Sequence, residues 1–95
     1  MSVGEDLQAA AEDELARALT LGWKALAGHL PWGDTFEGIS PGGRDVCFER
    51  AYLWEGAEGG DIRVEVAVFE PTAYEAGVRL TARIPAIPDN RREST

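Results

Sequence analysis

Apolar residues recur at spacings of three and four through the first third of the chain, then switch to strict alternation in the second half. At 100° per residue, Leu7, Ala11, Leu15, Ala18, Leu19, Gly22, Trp23, Ala25, Leu26 and Leu30 fall in one broad arc. Asp13, Arg17, Thr20 and Lys24 fall opposite it. Ser2 stands three residues before Glu5, the reciprocal arrangement in which each side chain satisfies an orphaned backbone N–H at a helix start. These signals predict one long helix that starts between Val3 and Glu5 and ends near Ala27. Gly28 would close it in the left-handed conformation, and Pro31 forbids continuation. Roughly 23 residues at about 1.5 Å each span about 35 Å, against ~17–20 Å for a typical strand, so the helix must overhang the sheet or bend.

Residues 62 to 69 alternate cleanly, with Ile62, Val64, Val66 and Val68 against Arg63, Glu65, Ala67 and Phe69. Residues 77 to 84 repeat the pattern with Val78, Leu80, Ala82 and Ile84 against Arg79, Thr81 and Arg83. An antiparallel hairpin that places Ile62 opposite Ile84 aligns both apolar faces. It also sets Glu65 diagonally between Arg79 and Arg83. The run from Asp45 to Trp54 is mixed on both faces. Its even positions (Val46, Phe48, Arg50, Tyr52, Trp54) hold the larger apolar area and are expected to face the core, with a bulge near Glu49 and Arg50 to carry the arginine out. A short strand from Thr35 to Ile39, turned by Ser40 to Gly43, precedes it. The loop from Glu55 to Asp61 reads as a hairpin connection. The prolines and charges from Pro88 to Thr95 predict a flexible tail after a single domain of residues 1–87.

The expected fold class is α+β: one long N-terminal helix packed on a three- to four-stranded antiparallel β-meander, a two-layer sandwich. A helix antiparallel to the first strand would bring Glu5 and Asp6 to the same pole as Glu70 and Glu75.

The chain has 95 residues, 44% of them hydrophobic and 27% charged, values that suit one globular domain. Seventeen acidic residues against nine basic ones give a formal charge of −8, a field that disfavours direct contact with nucleic acid or anionic membrane. Residues 1–60 supply most of that excess. Arginine outnumbers lysine eight to one, a bias that suits a GC-rich bacterial or phage genome. With a single cysteine, no internal disulfide, no targeting segment and no long apolar run, the sequence is expected to be cytoplasmic.

Candidate chemistry is sparse. His29 and Cys47 are the only residues of their types and cannot supply a four-ligand zinc site, so no metal and no cofactor is expected. His29 reads as a helix-end residue, Cys47 as a small apolar strand residue, and Ser40 as turn chemistry before Pro41. Asp34 and Glu37 form a conceivable acid–base pair with nothing to separate their pKa values. No catalytic residue is expected, and the sequence points to a non-enzymatic interaction module. Its partner would be another protein, of basic character if the acidity is used, or a second copy of the chain. Trp32, Phe36, Tyr52 and Trp54 are the candidate aromatic contacts, and Glu70 and Glu75 the candidate acidic ones. Two other classes stay open: an acidic decoy that fills a basic nucleic-acid groove on a partner, and a small enzyme or ligand binder with a pocket between helix and sheet.

Overall fold

The computed structural model describes residues 2–87, so the tail expected from Pro88 lies outside the described residues. The Ser2 hydroxyl accepts from the Glu5 N–H at 3.1 Å and the Glu5 carboxylate accepts from the Ser2 N–H at 2.9 Å, which starts helix α1 (Val3–Leu19) where the capping pattern predicts. The single helix expected to reach Ala27 is in fact two. α1 ends in a tightened turn in which the Thr20 and Leu21 N–H groups donate to the Arg17 and Ala18 carbonyls. A second helix, α2, covers Gly22–Ala27. Gly22, at φ 79°, sits in the left-handed region and redirects the chain. The closing role expected of Gly28 therefore falls six residues earlier, and Gly28 itself is right-handed at φ −82°.

Four strands follow in one antiparallel sheet ordered as in the chain: β1 (Trp32–Ile39), β2 (Asp45–Trp54), β3 (Ile62–Glu70) and β4 (Ala73–Ile84). The expected α+β meander is thus observed, with four strands. β3 and β4 pair with Ile62 opposite Ile84 and Val66 opposite Leu80, the register their matched apolar faces require. β1 starts three residues earlier than expected, so Trp32 belongs to a strand and not to a loop. β4 starts four residues earlier, with a register shift between Val68 and Glu70. Gly77 makes that irregularity possible, because a Cβ there would stand 2.8 Å from both the Phe69 side chain and the Val68 carbonyl.

Ile62, Val64, Val66 and Val68 are fully buried together with Leu7, Ala10, Ala11 and Ala18 of α1, so the two layers share one dry seam. Each of the larger ones, Leu7, Ile62 and the three valines, contributes about 1.5–3 kcal/mol relative to exposure. α1 lies over β3 and β4. The inward faces of β1 and β2 therefore extend past the main helix. On β2 the even positions do face inward, with Val46, Phe48 and Tyr52 at 5% exposure or less. The bulge expected at Glu49 and Arg50 is absent. Pairing runs unbroken from Cys47 opposite Phe69 to Trp54 opposite Ile62, which leaves Arg50 pointing into the layer with the core residues. It remains there because two carboxylates meet it.

At the far end of the sheet, Asp6 is buried and held by the turn between β1 and β2. It accepts from the Ser40 hydroxyl, from the Gly42 N–H at 2.7 Å and from Arg44 at 3.3 Å. α1 thus begins at the end of the sheet that also carries the β3–β4 turn, as the antiparallel placement requires. Asp6 is no part of a free acidic pole, since its charge is taken up by that turn.

Candidate functional site

Register places Asp34 opposite Arg50, with Trp32 opposite Tyr52 on one side and Phe36 opposite Phe48 on the other. Side chains directly opposite in an antiparallel pair share a face, so all six turn toward the helix layer. The Arg50 guanidinium donates to both oxygens of Asp34, from Nε at 2.8 Å and from Nη2 at 2.5 Å, a bidentate fork. Its Nη1 reaches Glu14 of α1 at 3.2 Å. Glu14, whose side chain is 6% exposed, also accepts from Arg17 at 2.9 Å. Above and below the fork lie aromatic rings: the guanidinium carbon stands 5.4 Å from the Trp32 ring centre and 4.7 Å from that of Phe36.

The bidentate hydrogen bond from Arg50 holds the Asp34 carboxyl below its ordinary range against the opposing effect of burial. The same bond raises Arg50, which stays charged at any accessible pH. Two positive and two negative groups therefore form a network with no net charge.

Beside this network the helix break leaves two hollows that share Leu21, Arg50 and Tyr52. One, of about 340 Å³, is walled by Leu21, Leu26, His29, Trp32 and Tyr52 around the edge of Arg50. The other, of about 420 Å³, runs along Glu14, Arg17, Ala18, Asp34 and Phe36. Tyr52 is 1% exposed and its hydroxyl has no hydrogen-bond partner among the described residues. Burial is the main cause that pushes its pKa up, and the charges felt by the hydroxyl are those of Arg50, Glu14 and Asp34. The hydroxyl therefore sits at the network, a neutral phenol.

The six candidate contact residues separate into three places. Trp32, Phe36 and Tyr52 come together around Arg50, with Trp32 41% exposed and Tyr52 buried beneath it. Trp54 is half-buried against Trp23 at 6.1 Å, and the Trp23 indole N–H donates to the Gly60 carbonyl. Glu70 and Glu75 lie by the β3–β4 turn, at the opposite end of the sheet from Trp32. Asp34 and Glu37 turn to opposite faces of β1 and form no acid–base pair. Cys47 is on the outer face of β2, so the sheet separates it from His29.

Sequence reasoning missed Arg50, Glu14 and the role of Asp34. The signal was present in part, because Arg50 is the one charge on the inward face of β2. Reading β1 from Trp32 and pairing it with β2 would have placed Asp34 opposite.

Among the described residues, no group of three or more His, Cys, Asp or Glu side chains is placed to hold a metal ion. No helix among them is long and apolar enough to cross a membrane. No protein-family model, curated protein or solved structure matches the chain.

Proposed function

We propose that the protein is a non-enzymatic interaction module that binds another protein along β1. The observation that carries this reading is that β1 is a terminal strand of the sheet with an exposed tryptophan at its start. A terminal strand presents backbone N–H and C=O groups that a partner strand can pair. Trp32 and the 64% exposed Ile39 stand near its two ends and on opposite faces, so an added strand could be gripped from both. Asp34 is taken up by Arg50, and Glu37 on the outer face of β1 has no arginine within 4.0 Å among the described residues, which suits a partner of basic character.

The acidic residues are spread over the molecule. Among the described residues seven have arginine partners within 4.0 Å, and others lie on the outer side of α1, in the loop after β2 and by the β3–β4 turn. This distribution supports edge-strand recognition over imitation of a phosphate backbone, which needs carboxylates gathered on one face.

The test is affinity capture from the native host with cross-linking and mass spectrometry. It compares wild type with Trp32→Ala, Ile39→Lys and, as a variant away from the edge, Trp54→Ala. A partner lost in the first two variants and retained by Trp54→Ala is the expected result. Equal capture by all four proteins, with no cross-link to β1, removes the edge from the reading.

A further inference from the structure

We infer that an antiparallel strand added to β1 seats an arginine over Gly33, in a hollow on the outer face of the sheet. Resting on the reading of β1 as the recognition edge, this names the chemistry that the partner must carry.

Small residues build the hollow. On the outer face Gly33 stands opposite Ala51, and Thr35 opposite Glu49. Ala51 in turn stands opposite Glu65 of β3. A Cβ at Gly33 would lie 2.8 Å from the Arg50 carbonyl oxygen, so the position takes no side chain and the floor stays low. The result is a depression of about 310 Å³, floored by Gly33 and Ala51 and rimmed by Thr35, Glu49, Glu65 and Arg79. It reaches the edge of the sheet, because Gly33 belongs to a terminal strand. A strand added beyond β1, about 4.8 Å away, places the side chain opposite Gly33 on this same face, and a long one lies across the two small residues.

Charge decides which long side chain fits. Arg63 approaches Glu55 at 3.9 Å and Glu65 at 3.1 Å, and Arg79 approaches Glu49 at 3.7 Å and Glu65 at 4.0 Å. Two arginines thus serve three carboxylates, and Arg79 meets neither of its two within hydrogen-bond distance. One negative charge is left over beside the hollow. A guanidinium suits it, because a flat fork of donors can meet Glu49 and Glu65 together. Glu37, four residues after Gly33 on the same face, calls for a second cation. In the antiparallel register the partner segment therefore carries a cation and, four residues later, the arginine, with apolar residues at the inward positions between and beside them.

The test is a heteronuclear NMR titration of the full chain with acetyl-Lys-Val-Thr-Val-Arg-Val-amide and with the same peptide carrying alanine or glutamate in place of arginine. The arginine peptide is expected to shift the amide signals of Gly33, Thr35 and Glu37 saturably, together with those of Glu49, Ala51 and Glu65. At low salt it should bind about fivefold more tightly than the alanine peptide, the worth of one partly exposed ion pair, and the glutamate peptide should be the weakest. In the combined variant Glu49→Gln and Glu65→Gln, whose amides keep the shape of the rim, the arginine and alanine peptides should bind equally. Saturable shifts along β1 with equal wild-type affinity for the arginine and alanine peptides overturn the arginine seat and leave the recognition edge standing. No saturable shift along β1 with any of the three peptides overturns both.

Discussion

Arg50 interrupts an apolar strand face with a full positive charge, and carboxylates from two other elements meet it. Removing the cation strands them. Arg50→Met is expected to destabilise the protein by roughly 2–4 kcal/mol in urea unfolding, below the usual value for a fully buried pair because the side chain is 24% exposed. Asp6 makes the complementary case at the other end of the sheet. Its carboxyl is pulled below the ordinary 3.8, first by the Ser40 hydroxyl and then by the Gly42 N–H and Arg44, against burial. A folded pKa below the unfolded one stabilises above the unfolded value and is lost as pH falls through the folded value. Wild type should therefore lose thermal stability as pH drops below about 4. Asp6→Asn should be less stable at neutral pH and show a shallower acid decline. The sequence held Asp6 and Arg50 as charges but not as buried ones. Their partners lie 34 and 16 or 36 residues away, and no local pattern signals a contact at that distance.

At the scale of elements, the helix start, the β3 alternation and the β3–β4 register were all legible. Each depends on neighbours within one turn or one hairpin. The break between α1 and α2 was not, because Gly22 satisfies the apolar arc as a small residue while its backbone leaves the helix. Two glycines separate these roles by experiment. Gly22→Ala should lower stability by about 1–2 kcal/mol, since an L side chain is strained at φ 79° despite alanine's better helix propensity. Gly28→Ala, with right-handed backbone and open space around the new methyl, should raise stability by about 0.4–1 kcal/mol. Were Gly28 the left-handed closing residue of one continuous helix, both signs would reverse. β2 shows the other limit. A lone charge on an apolar face has two physical solutions, a bulge that expels it or an ion pair that keeps it, and the choice depends on strands and helices elsewhere.

For the molecule as a whole, the off-centre helix layer has the largest consequence. With α1 chiefly over β3 and β4, the inward side of β1 and β2 is met by individual side chains, among them Glu14 of α1 and Leu26 of α2. That is why Trp32, Phe36 and Tyr52, scattered in sequence, gather around Arg50, whereas Trp54 goes to the Trp23 contact and the two glutamates to the far turn. The aromatic content of the site was visible in the sequence. Its assembly was not, since that needs both the early start of β1 and the lateral offset of α1.

The central physical claim is that Glu14 on α1 and Arg50 on β2 hold the two layers together at the edge of an open flank. A double-mutant cycle with Glu14→Ala, Arg50→Ala and the combined variant, read by urea unfolding, measures that link directly. Direct contact at 3.2 Å predicts a coupling energy of about 1–3 kcal/mol. Effects that add within about 0.3 kcal/mol would place the two residues apart, and the buried network and the hollows beside it would have to be redrawn.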